Sequence, residues 1–102
     1  MVTVLLEQVF DPPMSDEAYG KLAQRLDPCL EVRDACWCRS YVSADRKRVI
    51  CEFEARDAES VREALRTAGL PFERVWTAAS VTKIEDYPEL VTKRDAMRAR
   101  RT

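Results

Sequence analysis

The chain has 102 residues, of which 46% are hydrophobic and 34% are charged, with a formal net charge of −1. This length supports one domain with a modest core and excludes two. The sequence contains no histidine, which excludes the side chain that most often serves acid–base catalysis and transition-metal binding near neutral pH. Because four cysteines occur without a disulfide spacing, a secretory leader or a membrane-length apolar segment, we predict a cytoplasmic protein with free thiols.

The first third of the chain predicts a strand followed by a helix. Residues 2–10 are mostly β-branched or aliphatic, and Asp11-Pro-Pro13 stops that run. Ser15 is the predicted N-cap of the helix, and we expect Pro28 to end it because proline disrupts the hydrogen bonds of a helix interior. The apolar face of this helix recurs at helical spacing and comprises Tyr19, Leu22, Ala23 and Leu26.

Residues 35–54 predict a β-hairpin with two different faces, closed by Asp45-Arg46 as a two-residue loop. Because side chains alternate along a strand, each face follows from this register. The small, apolar face pairs Val42 with Val49, Ser40 with Cys51, and Cys38 with Phe53. The polar and aromatic face pairs Tyr41 with Ile50, Arg39 with Glu52, and Trp37 with Glu54.

A second helix and a last strand follow the hairpin. Asp57 is predicted to cap the helix, Gly69 to supply its left-handed C-terminal residue, and Pro71 to prevent its continuation. Residues 75–84 are predicted to form the last strand. The inner face of the helix is predicted to comprise Ala58, Val61, Ala64, Leu65 and Ala68.

A basic tail completes the chain. Residues 88–102 carry five basic and two acidic side chains, a net charge of +3, so the remainder of the chain carries −4. We therefore divide the chain into a domain of residues 1–86 and a basic tail of residues 87–102 with helix-forming composition. A solvated tail, or one folded on its own acidic domain, is favoured over a nucleic-acid-binding tail.

The predicted order is β-α-β-β-α-β, which is the order of the ferredoxin-like α+β sandwich. In that fold two helices cover one face of a four-stranded antiparallel sheet, and the other face stays uncovered. The uncovered face would carry exposed aromatic side chains, and an apolar patch of that size meets a ligand or a second subunit. We therefore predict a homodimer with the two sheets face to face.

The open face carries the candidate binding and catalytic residues. A carboxylate in an apolar pocket has a raised pKa and could act as a general acid or base, while Arg39 could bind an anionic oxygen. The candidate catalytic residues are Glu7, Arg39, Glu52 and Tyr41, and the candidate ligand-binding residues are Trp37, Glu54 and Trp76. The alternative interpretation is a structural pair of Arg39 and Glu52 within a dimer interface. Three glutamates on this face argue against RNA, because they would repel phosphates.

The cysteines offer a second candidate site. Cys36 and Cys38 lie two apart on one strand and point the same way, and Cys51 lies at a diagonal position on the next strand. Three thiolates could hold a soft metal ion such as zinc, copper or nickel. The competing interpretation is that Cys38 and Cys51 are small core residues beneath the helices, and it is favoured because this spacing lacks the loop geometry of a zinc knuckle.

Several segments together resemble a known family. They are Trp37-Cys-Arg-Ser-Tyr-Val-Ser-Ala-Asp45, Cys51, Val61-Arg-Glu63 and Gly69-Leu-Pro71. The stretch from about Val2 to Trp76 is similar to small bacterial proteins with an uncharacterised domain, some of which are nickel-responsive and bind nickel. The resemblance implies a ferredoxin-like fold, a dimer and, in some members, a bound nickel ion. The family's usual histidine ligands are absent, since Arg39 and Ala64 stand at those positions.

These observations give two main functional hypotheses, and a third is an accessory or regulatory subunit whose basic tail docks on an acidic partner. The first is a protein that binds a small molecule, or a metal ion as the resemblance implies, on its open sheet face. The second is a cofactor-independent isomerase, cyclase or decarboxylase of the dimeric α/β-barrel type, with an open-face glutamate as the proton carrier.

Overall fold

The computed structural model describes residues 1–101, and the ferredoxin-like fold that the sequence predicts is confirmed. The elements are β1 (Val2–Val9), α1 (Asp16–Glu31), β2 (Cys36–Val42), β3 (Arg48–Ala55), α2 (Ala58–Ala68), β4 (Arg74–Ala78), a 3-10 turn (Ile84–Asp86) and α3 (Pro88–Arg100). The four strands form one antiparallel sheet in the order β2-β3-β1-β4. Within residues 1–101, no helix combines the length and the apolar character needed to span a membrane.

The core lies between the sheet and the helices α1 and α2. Alternate residues of β1 and β3 point into it, so Val4, Leu6 and Phe53 are almost fully buried. From the helices, Leu30 and Leu65 are buried against this face. The opposite face of the sheet is left without a covering layer, as the fold requires.

The second helix has the ends that its sequence predicts. The Asp57 carboxylate accepts hydrogen bonds from the Ser60 amide and hydroxyl groups, both at 2.7 Å, and these bonds lower the pKa of Asp57. At the other end Gly69 adopts a left-handed conformation with φ of 71°. The chain then turns back toward the sheet to begin β4.

The predicted end of the first helix is wrong, because α1 continues through Pro28 to Glu31. Proline has a backbone φ compatible with a helix, but it removes one amide donor and its ring crowds the carbonyl group four residues earlier. Leu30, the next-to-last residue of α1, is 1% exposed, so burial of its side chain offsets that cost. The predicted N-cap is confirmed, since the Ser15 hydroxyl accepts a hydrogen bond from the Ala18 amide at 3.1 Å.

The last strand is shorter than predicted. It spans Arg74–Ala78 rather than residues 75–84 and pairs with residues 3–7 of β1. Its last residue, Ala78, lies opposite Thr3, so only residues 1 and 2 remain to pair with a longer strand. The chain leaves the sheet, forms the 3-10 turn and continues as α3, none of whose described residues is buried.

The hairpin register is confirmed near the loop and wrong at the far end. The pairs of Val42, Tyr41, Ser40 and Arg39 with their partners on β3 are as predicted, although the connecting loop is wider than two residues because the strands end at Val42 and Arg48. Beyond Arg39 a β-bulge leaves Cys38 without a partner and places Trp37 opposite Phe53 and Cys36 opposite Glu54. One extra residue in one strand reverses the alternation beyond it, so the predicted pairs Trp37–Glu54 and Cys38–Phe53 do not form.

We expect Leu65→Ala to lower the free energy of unfolding by roughly 2–5 kcal/mol, because it leaves a cavity at a fully buried position of α2. The matched control is Leu90→Ala on α3, where the leucine is 46% exposed, and the expected loss there is about 0.5 kcal/mol or less. Urea unfolding followed by circular dichroism measures both. Equal losses in the two variants would contradict the position of the core.

Candidate functional site

The open face of the sheet brings together most of the residues that the sequence nominates. Glu7, Glu52 and Trp76 lie on β1, β3 and β4, and Arg39 and Tyr41 lie on the edge strand β2. Trp76 and Tyr41 are 44% and 66% exposed. The face therefore mixes exposed aromatic rings with charges of both signs.

Glu7 is held by two neighbours on β4. The Trp76 indole N–H donates a hydrogen bond to Glu7 Oε2 at 3.1 Å, and Arg74 Nε lies 4.0 Å from the same oxygen. Both contacts orient the carboxylate toward β4, away from the other predicted catalytic residues on β2. The role of Glu7 as a proton carrier stays a prediction.

Arg39 and Glu52 form the cross-strand ion pair that their register predicts. Arg39 Nε lies 3.7 Å from Glu52 Oε1. A hydrogen bond with Tyr41 and the charge of Glu52 raise the pKa of Arg39 above its ordinary value, so this side chain stays cationic. The pair is largely solvent-exposed, and such pairs add little to stability.

Trp37 is not part of this face. The bulge directs its side chain to the helix-covered face, where it lines a cavity with Tyr19, Cys51 and Phe53. Its indole N–H donates to the Ser40 hydroxyl at 2.9 Å. The prediction that Trp37 is a wall of the open-face site is therefore wrong.

The three thiols proposed as metal ligands are not brought together. Cys51 is 3% exposed beneath the helices, whereas Cys36 and Cys38 are exposed. Desolvation raises the pKa of the Cys38 thiol, and the charges of Glu54 and Glu52 raise it further. In the part of the chain that the structure describes, no three cysteine, aspartate or glutamate side chains form a group able to hold a metal ion.

A cavity of about 380 Å³ lies on the other side of the sheet, beneath α1. Its walls are mostly apolar and include Leu6 and Phe53 of the sheet and Leu26 of α1. Residues that are themselves exposed, Ala23 and Asp27 among them, form its rim, so the cavity opens to solvent along α1. A volume of this size falls within the range of small-molecule sites.

Four polar groups converge beside this cavity, and we name them the Cys51 cluster: Tyr19, Trp37, Ser40 and Cys51. Tyr19 Oη lies 2.7 Å from Ser40 Oγ and 3.0 Å from Cys51 Sγ, and the Ser40 hydroxyl donates to Cys51 Sγ at 3.0 Å. The Trp37 N–H also donates to Ser40 Oγ. Because the single Ser40 proton goes to Cys51, Tyr19 donates to Ser40 and Cys51 donates to Tyr19, and every proton of the cluster has an acceptor.

The Cys51 cluster is neutral near pH 7. Burial raises the pKa of the Cys51 thiol, and its hydrogen bonds with Ser40 and Tyr19 lower that pKa by less. Burial and the hydrogen bond with Cys51 raise the pKa of Tyr19 far above its ordinary value. Because thiol and phenol both keep their protons, the cluster offers hydrogen-bonding groups and is not a thiolate nucleophile.

The loop between β2 and β3 fixes the start of α1 and hence the position of Tyr19. Arg46 Nε donates to the Met14 carbonyl oxygen at 2.6 Å, and the same guanidinium pairs with Asp16 in the first turn of the helix. The Met14 amide in turn donates to the Arg46 carbonyl oxygen at 3.0 Å. These contacts join the hairpin loop to the start of α1, the helix that carries Tyr19.

Sequence reasoning did not find this cavity. The available signal was the small size of the side chains on the hairpin's inner face, such as Ser40 and Cys51, opposite Ala23 of the helix. Small residues on two facing surfaces leave volume unfilled. Whether α1 packs close enough to the sheet to fill this volume depends on contacts between residues far apart in sequence, which a local pattern does not predict.

The comparisons with known proteins agree with this fold. The family model described as nickel responsive protein SCO4226-like matches residues 5–77. The crystal structure of SCO4226 from Streptomyces coelicolor A3(2) has a TM-score of 0.71 and 10% sequence identity, and the match covers 78% of this chain and 99% of that chain. At that identity the structure supports the fold alone. No curated protein matches the sequence.

The residues of this chain do not fit a nickel site. The sequence has no histidine, and imidazole is the usual protein ligand of nickel besides thiolate. The three candidate thiols are divided between an exposed strand edge and the buried face of the sheet, and the fourth, Cys29, lies on α1. We therefore derive no metal chemistry for this chain.

We expect Glu54→Gln to speed the alkylation of Cys38 by iodoacetamide at pH 8. Removing the carboxylate lowers the pKa of the thiol, and a screened surface charge should change the thiolate fraction roughly two- to fivefold. Mass spectrometry of the alkylated peptides measures the rate at this residue. The control is Glu89→Gln on α3, and an unchanged rate in Glu54→Gln would show that the carboxylate does not act on Cys38.

Proposed function

The chain belongs to the family of nickel responsive SCO4226-like proteins, but its residues 1–101 contain no group of ligands able to hold a metal ion, and we propose that it binds a small organic ligand. The proposed site is the cavity beneath α1. The observation that carries the proposal is the Cys51 cluster, whose polar groups meet at one wall of a cavity that is otherwise mostly apolar. Small-molecule sites combine those two features.

The position of the site in the fold supports the proposal. Phe53 and Leu6 form its floor on β3 and β1, the two central strands of the sheet. Leu26 and Leu30 form its roof on α1. A ligand would therefore be enclosed between a fixed sheet and a helix whose start is held by the hairpin loop.

The test blocks the opening of the cavity with a large side chain at its rim and measures the binding of a fluorescent probe. Ala23→Phe places a ring in the opening at an exposed position of α1, and we expect it to abolish binding of the neutral fluorescent probe N-phenyl-1-naphthylamine. Ala96→Phe makes the same change on α3, outside the cavity, and should bind the probe as the parent chain does. Fluorescence titration measures binding, and circular dichroism checks that both variants are folded.

Two results would contradict the proposed site. The first is equal binding by Ala23→Phe and Ala96→Phe. The second is loss of binding in Trp76→Ala, which alters only the open face and would place the probe there. Absence of any binding to the parent chain would also overturn the proposal.

We further propose that the open face joins two copies of the chain. Tyr41, Ile50 and Trp76 are exposed there in spite of their size, and an apolar surface on three strands favours burial against a self-complementary copy. The ion pair of Arg39 and Glu52 would lie within that interface.

The exposed thiols Cys36 and Cys38 suit a reducing compartment, and we propose the cytoplasm.

We expect Ile50→Asp to convert the dimer to a monomer, because it places a carboxylate without a partner at the centre of the proposed interface. Val81→Asp adds the same charge at a position that is 90% exposed beyond β4 and should leave the dimer intact. Size-exclusion chromatography with light scattering gives the masses. A parent chain that is monomeric at every concentration, or a dimer unchanged by Ile50→Asp, would overturn the proposed interface.

A further inference from the structure

We infer that the cavity selects a neutral, ring-containing ligand with one hydroxyl group, an aromatic alcohol or phenol, over a carboxylate or an ether of the same size. The inference rests on the proposed function and names its ligand class. It follows from the charge of the lining, the hydrogen-bonding capacity of the Cys51 cluster and the dimensions of the cavity.

The charge of the lining disfavours anions. Among the described residues that line the cavity, Asp27 at the rim is the one charged side chain, and no lysine or arginine is present. A carboxylate entering the cavity would lose its hydration without gaining a cation, and it would pass the Asp27 carboxylate on the way. Fatty acids and aromatic acids are therefore poor ligands for this site.

The Cys51 cluster favours a hydrogen-bond donor on the ligand. Its protons are all used within the cluster, and Ser40 Oγ already accepts from Trp37 and Tyr19. The acceptor capacity that remains is on Tyr19 Oη and Cys51 Sγ, which both belong to residues that line the cavity. A ligand hydroxyl can donate to these atoms, whereas an ether or ketone has no proton to give.

Two other polar side chains line the cavity, Gln8 and Gln24. The Gln8 side-chain amide is buried and donates one of its N–H groups to the Pro71 carbonyl oxygen at 3.1 Å. Gln24 is exposed on α1. The Cys51 cluster is where two acceptor atoms lie together in a part-buried position, so we assign the ligand hydroxyl to it.

The dimensions of the cavity suit two fused rings. Its volume of about 380 Å³ corresponds to roughly a dozen water molecules at about 30 Å³ each. The walls supply the aromatic rings of Phe53 and Trp37 and the aliphatic side chains of Leu6, Leu26 and Leu30. Aromatic pairs in offset or edge-to-face contact add to the burial of apolar surface.

The experiment compares three probes of one shape by isothermal titration calorimetry at neutral pH: 2-naphthol, 2-methoxynaphthalene and 2-naphthoate. We expect 2-naphthol to bind about tenfold or more tightly than either of the others, since the ether leaves the cluster unbonded and the carboxylate is buried unpaired. Tyr19→Phe removes the stronger of the two acceptors, and it should lower the affinity for 2-naphthol severalfold, toward that of 2-methoxynaphthalene, with little effect on the affinity for the ether. Asp27→Asn should raise the affinity for 2-naphthoate alone.

The outcomes separate this inference from the proposed function. Binding of 2-naphthoate or of 2-methoxynaphthalene as tight as that of 2-naphthol would overturn the ligand class and leave the cavity as a binding site. An unchanged affinity for 2-naphthol in Tyr19→Phe would also overturn it. Failure of all three probes to bind would overturn the proposed function together with the ligand class.

Discussion

The β-bulge in the edge strand β2 is the local feature on which the rest of the site depends. By inserting Cys38 between Trp37 and Arg39, it reverses the faces on which Trp37 and Cys36 lie. The indole of Trp37 thereby reaches Ser40 and completes the Cys51 cluster. The same change leaves Cys36 and Cys38 exposed, whereas Cys51 is buried. These three thiols therefore cannot act as one set of metal ligands.

The two faces of the sheet consequently have different chemistry. On the open face, charged side chains pair with each other or with aromatic N–H and O–H groups, and Arg39 with Glu52 is the clearest example. On the helix-covered face, the polar groups Tyr19, Ser40 and Cys51 are satisfied among themselves and remain neutral. A surface of the first kind suits association with another protein chain, and one of the second kind suits an uncharged ligand.

The family match covers residues 5–77, which are the sheet and the two helices packed on it, apart from the ends of the first and last strands. The 3-10 turn and α3 lie beyond it. The order of elements in this part could be predicted because the residues that begin and end its helices, such as Asp57 and Gly69, are local sequence signals. The end of α1 could not be predicted from its proline alone, because burial of Leu30 decides whether the helix continues.

The sequence by itself determined the element order, the ferredoxin-like fold, the absence of histidine and the hairpin register near its loop, because these depend on composition, short periodicities and turn residues. The pairing of Arg39 with Glu52 followed from that register. Tertiary structure alone decided the bulge, the face on which Trp37 lies and the separation of Cys51 from the other thiols. It also decided the cavity, since an unfilled volume between α1 and the sheet depends on how distant surfaces pack, which no local pattern encodes.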